Sequence, residues 1–147
     1  MIRHDLTHWP LVLSTAQGVM SLEDQLDFLS EWATWLDRGE VFATLRVFGD
    51  SDALKRPEGG AKEAKAWLQA NAVRIKQLVI GMATVVSAAA LEETSRMNAE
   101  KLFGIPAQTF DDVNEAAMWL ASLSAARGRP LSMGHVLRSF ASTGRAG

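Results

Sequence analysis

The chain has 147 residues, a hydrophobic share of 48 %, a charged share of 22 % and a formal net charge of −2. That size suits one domain burying roughly two thirds of the surface its unfolded form exposes, and the ordinary composition excludes a long disordered tract. The complete lack of Cys excludes disulfides, thiol nucleophiles and thiolate metal sites, and the slight acidity argues against a nucleic-acid binder, which needs a basic stripe to collect phosphates.

Residues 1–8 carry charge and lack the apolar stretch and small-residue cleavage site of a secretory signal. Residues 78–91 form the longest apolar run, too short to span a bilayer. Cytoplasmic residence is therefore expected.

Residues 9–17 open with Trp9-Pro10 and continue Leu-Val-Leu, which predicts a strand leading into a turn at Gly18. Ser21 with Asp24 three residues on has the form of an N-cap and its capping-box partner. A first helix to about Arg38 follows, with Gly39 as its stop. Residues 41–48 are rich in β-branched and aromatic side chains and predict a second strand between Gly39 and Gly49. The loop 49–60 holds Asp50, Ser51, Asp52, Lys55, Arg56, Pro57 and a Gly pair. From 61 to about 78, Ala64, Leu68, Ile75 and Leu78 share one helical face. Residues 79–87 are continuously apolar, the pattern of a strand buried on both faces. A helix over about 91–103, a stop at Gly104, a short strand 105–110 and a helix capped by Asp111 or Asp112 and running to about 126 complete the core. A short helix over about 131–141 ends the pattern. The alternation predicts an α/β domain with a four-stranded, mostly parallel or mixed sheet flanked by helices.

Three of these helices share the pattern Glu-x-x-x-Trp-Leu: Glu31, Trp35 and Leu36; Glu63, Trp67 and Leu68; Glu115, Trp119 and Leu120. Each places a ring and a leucine at the face meant for burial. On the first helix, 100° per residue gathers Leu22, Leu26, Leu29, Ala33 and Leu36 into the arc expected against the sheet. Phe28, Trp32 and Trp35 then form a second ridge about 100° away. Such an aromatic ridge suits a protein partner or a second copy of the chain. The other reading is that a neighbouring helix or the N-terminal segment covers it.

The turn and cap Gly18-Val19-Met20-Ser21-Leu22-Glu23-Asp24 resembles the start of the first helix in SpoIIAA-like proteins, which are related to STAS domains. Phe110-Asp111-Asp112 leading to Glu115-Ala116-Ala117-Met118-Trp119-Leu120 is similar to the closing motif of the same family. The resemblance covers residues 10–126. It implies a layered βα domain used mostly for protein interaction or regulation, with SEC14-type lipid carriers as distant relatives. It also directs attention to a regulatory serine at a helix N-terminus, for which Asp50-Ser51-Asp52 is the nearest segment. That segment lacks the second Ser and the Gly of the family's Asp-Ser-Ser-Gly turn.

The remaining candidates are weaker. Met133, Val136, Leu137 and Phe140 share one side of the last helix, with Arg138 off that side. A basic amphipathic helix can pack on the core or rest on a partner or an anionic membrane. The carboxyl ends of the strands gather Asp50, Ser51, Asp52, Ser87, Asp111 and Asp112, residues that suit turns and caps as well as a cation or phosphate. The loop 57–62 lacks the spacing and Lys-Ser/Thr of a P-loop. His4 and His8 lie four apart, but Pro10 works against a shared helical face. No glycine-flanked serine elbow supplies a hydrolase nucleophile. The expectation is a non-catalytic interaction or regulatory module, without cofactor or metal, that self-associates through helix one. Its rival is a small-ligand or lipid binder with an apolar pocket under Phe28, Trp32 and the loop 49–60.

Overall fold

A computed structural model describes residues 2–50, 52–55, 57–95 and 104–131. Five strands, β1 (Ile2–Asp5), β2 (Leu11–Ala16), β3 (Phe42–Phe48), β4 (Val79–Val85) and β5 (Ala107–Phe110), form one sheet in chain order. β2 to β5 are parallel, and β1 is antiparallel to β2. Among the described residues the helices are α1 (Leu22–Asp37), α2 (Gly60–Leu78), α3 (Ala88–Ser95) and α4 (Val113–Ala126), with a 3-10 turn at Asp52–Leu54 in the loop before α2. The α/β class expected from the alternation is present, but the sheet has five strands rather than four. The additional strand is the charged N-terminal segment Ile-Arg-His-Asp. An edge strand has one open side and tolerates charge, so it lacks the apolar run by which an inner strand is recognised.

Local chemistry sets the boundaries. At the start of α1, the Asp24 backbone N–H donates to Ser21 Oγ at 3.0 Å and the Ser21 N–H donates to Asp24 Oδ2 at 3.1 Å, the reciprocal bonds of a capping box. Gly39 follows the last turn with φ +70°, a conformation that costs any other residue a Cβ clash. Asp112 rather than Asp111 caps α4, accepting from the N–H groups of Asn114 at 2.7 Å and Glu115 at 3.3 Å.

Strand alternation gives the sheet two apolar faces. One carries Leu11, Leu13, Leu45, Ile80, Val85 and Phe110 and packs against Ala116 and Leu120 of α4. α4 approaches so closely that a Cβ at Gly81 would lie 2.9 Å from Leu123 Cδ1 and 3.4 Å from the Pro106 carbonyl oxygen. The opposite face carries Val12, Phe42 and Met82 beneath Trp32, Trp35 and Leu36 of α1 and Leu68 and Ile75 of α2. β4 is buried along its whole length, as its continuous apolar run predicts.

The three Glu-x-x-x-Trp-Leu helices use the pattern in one way for Leu and three ways for Trp. Leu36, Leu68 and Leu120 are all in the core. Trp35 lies under β1, with the His4 ring edge-on at 4.9 Å. Trp67 meets Trp32 edge-on at 6.1 Å, and Trp119 packs on Phe110 at 5.7 Å.

The orientation of α1 corrects the helical-wheel expectation. Leu22 and Leu26 are 36 % and 41 % exposed, whereas Trp32 and Trp35 are 3 % and 1 % exposed. The helix turns its rings inward because β1 and α2 both border it, and an indole removes far more apolar area from water than a leucine. Trp32 and Trp35 therefore do not form a surface ridge; Phe28 is half-buried beside them. The proposed C-terminal helix, with Arg138 and Phe140, lies outside the described residues, as does Ser51. Among the described residues no helix is long and apolar enough to cross a membrane.

Candidate functional site

A polar row crosses the sheet on the α1/α2 side. In register, His4 of β1 faces Ser14 of β2, Ser14 faces Arg46 of β3, Arg46 faces Thr84 of β4, and Thr84 faces Thr109 of β5. Neighbours in register point to the same face, so one line of polar groups, with buried Thr44 beside it, interrupts a mostly apolar layer. Four of its five members are tied in pairs: His4 Nδ1 lies 2.8 Å from Ser14 Oγ, and Arg46 Nη2 donates to Thr84 Oγ1 at 2.9 Å.

Above Arg46 and Thr84 lies a half-open cavity of about 190 Å³. α1 contributes Gln25, Phe28, Leu29 and Trp32, and α2 contributes Ala64, Trp67 and Leu68. Phe48, at the end of β3, and Ala53, Leu54, Lys55 and Pro57 of the following loop close another side, with Met20 and Thr94 at the margin. The volume exceeds the roughly 150 Å³ of an apolar cavity that admits benzene. Its place, beyond the carboxyl ends of parallel strands, is where open α/β sheets bind ligands.

Three contacts hold the walls. Gln25, though polar, is buried at 7 % exposure, and its Nε2 donates to the Gly60 carbonyl oxygen at 2.6 Å, joining α1 to the first turn of α2. The Asp50 carboxylate accepts from the Gly18 N–H at 2.9 and 3.1 Å and from the Ala53 N–H at 2.9 Å, stapling the loop after β3 to the turn after β2. The N–H groups of Gly18, and next those of Ala53, hold its pKa below the usual carboxylate value. At the rim, exposed Lys55 pairs with exposed Asp52 at 3.1 Å.

Two cations, Arg46 and Lys55, line the cavity, and the charge of Lys55 is met by Asp52 at the rim. No Asp or Glu lines it among the described residues. Polar Gln25, Thr84 and Thr94 complete an otherwise apolar and aromatic lining.

Of the residues singled out in the sequence, the structure brings Phe28 and Trp32 together with the loop 49–60 around this cavity. Trp35 is apart, packed under His4. Asp50 serves as a loop staple, and Asp52 opens the 3-10 turn. The His4 ring sits 5.2 Å from Phe28 and 4.9 Å from Trp35. Burial lowers the His4 pKa, opposed by the nearby Glu31 charge. Among the described residues no group of three or more His, Asp or Glu is placed to hold a metal ion. Sequence reasoning passes over Arg46 and Thr84, and it reads Trp67 as a core ring of the repeated pattern rather than as part of a site. Arg46 does leave a signal, as the only charged residue within the seven of β3.

No family model, no curated protein and no solved structure matches this chain. Its function is therefore argued from its own residues.

Proposed function

We propose that the chain is a non-catalytic binding module whose cavity between α1, α2 and the loop 49–60 takes a small apolar or aromatic molecule, or the end of a lipid chain. The observation that carries this reading is the cavity itself: about 190 Å³, walled by the rings of Phe28, Trp32, Phe48 and Trp67, at the ligand end of a parallel sheet. The Gln25–Gly60 and Asp50–Gly18 bonds support a preformed space, because each fixes one wall to another. The SpoIIAA-like resemblance belongs to the same proposal. Its supports are the capping box at Ser21 and Asp24 and the closing helix capped by Asp112.

Calorimetric titration with 3-phenylpropan-1-ol and octan-1-ol, read in parallel by Trp emission, tests the reading. Saturable binding that shifts the emission and disappears in Ala64→Phe, which places a ring in the cavity, is the expected result. No binding in the native chain, or undiminished binding in a folded Ala64→Phe variant, refutes it.

A second reading, self-association, draws on a different feature. Val19, Leu22 and Leu26 are 71, 36 and 41 % exposed within eight residues of chain, an apolar group on the outer side of α1 rather than the buried Trp ridge. Light scattering on the native chain and on Leu22→Ser with Leu26→Ser decides it: a dimer that becomes a folded monomer supports the contact, and a native monomer removes it.

A further inference from the structure

We infer that two copies of this chain pair through the α1/α2 layer, the acidic outer face of α1 on each copy resting on the basic outer face of α2 on the other. The inference rests on the self-association reading and adds which surface receives the exposed leucines of α1.

The two helices carry opposite charge. α1 holds Glu23, Asp24, Asp27, Glu31 and Asp37 and no Lys or Arg, whereas α2 holds Lys62, Lys65, Arg74 and Lys76 against the single acid Glu63. Part of this charge is used within the chain: Arg74 pairs with Asp37 at 2.6 Å, and Asp24 closes the capping box with Ser21. Glu23, Asp27, Lys62 and Lys65 are all exposed, and among the described residues none of the four forms an ion pair. A surface divided in this way is complementary to a copy of itself, and opposite potentials set the orientation and register of such a contact.

Apolar side chains lie between the charges. Leu22 and Leu26 are 36 and 41 % exposed on α1, and Val73 is 69 % exposed on α2, with Ala66 and Ala70 exposed beside it. Leu22 borders α2, because a Cβ at Gly59, the N-cap of α2, would lie 4.0 Å from its Cδ2. At 100° per residue Leu22 and Leu26 stand on the α2 side of the outer face of α1, and Ala66, Ala70 and Val73 on the α1 side of the outer face of α2. Glu23 and Asp27 on one helix, and Lys62 and Lys65 on the other, fall farther from the groove. An apolar centre with a charged rim is the anatomy of a protein interface.

The placement of the helices selects the symmetry. α1 and α2 each return from one parallel strand to the next on the same face of the sheet, so they run side by side in one direction. Gln25 is level with Gly60, Trp32 with Trp67 and Asp37 with Arg74. A two-fold axis along the groove between them lays α1 of each copy on α2 of the other and keeps those levels. Asp27 of one copy then stands level with Lys62 of the other, and Leu22 and Leu26 meet their own counterparts near the axis. Both charged faces are covered at once, and neither is left open to a third copy.

Light scattering on the full chain across a concentration series tests this. The native chain is expected to form a dimer whose dissociation constant rises about tenfold between about 0.05 and about 0.5 M NaCl, as screening weakens several exposed ion pairs together. Two charge-reversed chains carry the decisive comparison: Glu23→Lys with Asp27→Lys, and Lys62→Glu with Lys65→Glu, all at exposed positions. Each alone is expected to be a monomer that circular dichroism shows to be folded. An equimolar mixture is expected to restore the dimer, because one chain then presents cations on both helices and the other presents anions on both. A native monomer overturns self-association and this inference together. A native dimer indifferent to salt, or folded reversed chains that remain dimers alone, overturns the inference and leaves self-association standing. Folded reversed chains that stay monomeric on mixing overturn the pairing of α1 with α2, and a mass that climbs past the dimer overturns the two-fold arrangement. If a reversed chain fails to fold, the salt dependence of the native dimer decides alone.

Discussion

Replacing Trp32 by Ala is the most direct challenge to the way α1 is seated. Trp32 is 3 % exposed, and its ring centroid lies 5.3 Å from Trp35, 5.8 Å from Phe42 and 6.1 Å from Trp67. Truncating a buried Trp to Ala costs about 3–5 kcal/mol, from lost apolar burial and from the void left behind. Here the new space joins a cavity that is already half open, so water fills part of it and the lower end, about 3 kcal/mol, is expected. With a urea slope of about 2 kcal/mol per molar, that is a midpoint lowered by about 1.5 M. Leu26→Ala is the comparison on the same helix. At 41 % exposure its leucine gains little from the fold, and its loss should stay under about 1 kcal/mol. Urea unfolding followed by circular dichroism measures both, with equal slopes as the condition for comparing them. A Trp32→Ala loss below about 1 kcal/mol, or a larger loss for Leu26→Ala, would refute the inward seating of the rings.

The His4 pKa is lowered by burial, so the unfolded chain takes up its proton first and stability falls as pH drops below about 6.5 toward the folded value. The stability advantage of the native chain over His4→Leu should therefore shrink between pH 8 and pH 5.5, and a difference in melting temperature that is constant with pH contradicts it. Asp50→Ala removes the acceptor for the Gly18 and Ala53 N–H groups, so hydrogen exchange at those two amides should accelerate while that of β4 stays slow; unchanged protection at Gly18 would show that Asp50 does not hold the loop. Arg46→Met keeps length and removes charge from an apolar layer. With the Arg46–Thr84 bond gone and the Thr84 hydroxyl left buried, the unfolding free energy should fall by about 1–3 kcal/mol, whereas a value equal to native or higher would show that the bond adds nothing to stability.

The parts of the fold that are legible in sequence are those whose signal is local. Ser21 and Asp24 state the start of α1 because both halves of the capping box lie within one turn. Residues 79–85 state a central strand because burial on both faces removes every polar alternative. β1 is not legible in the same way. Its four residues gain their place from pairing with β2, and from His4 fitting between Ser14, Phe28 and Trp35. Those partners are all distant in sequence. The seating of α1 fails for a related reason. A helical wheel ranks faces by hydropathy alone, and the arc of Leu22, Leu26, Leu29, Ala33 and Leu36 outnumbers the three rings. Which face is buried depends on what borders the helix, and here β1 and α2 lie on the aromatic side.

The site was half visible for the same physical reason. Phe28, Trp32 and the loop 49–60 attract attention as apolar and turn-forming residues, and they do meet at one cavity. Its polar floor comes from the sheet, where Arg46 and Thr84 are 38 residues apart in sequence and are brought together by strand register and one hydrogen bond. Arg46 occupies an inward position of a strand that otherwise alternates correctly. A single charge at such a position is inconsistent with the local pattern, and local inconsistency in a folded chain is where function is to be sought. The same residue in an exposed strand would carry no such meaning. The diagnostic feature is thus the combination of a strand whose register is fixed by Leu45 and Val47 on the other face and a cation that this register turns toward α1 and α2. Moving β3 by one residue would turn Arg46 to the α4 side and Leu45 and Val47 away from it, so the burial of those two side chains holds the register that faces Arg46 toward α1 and α2.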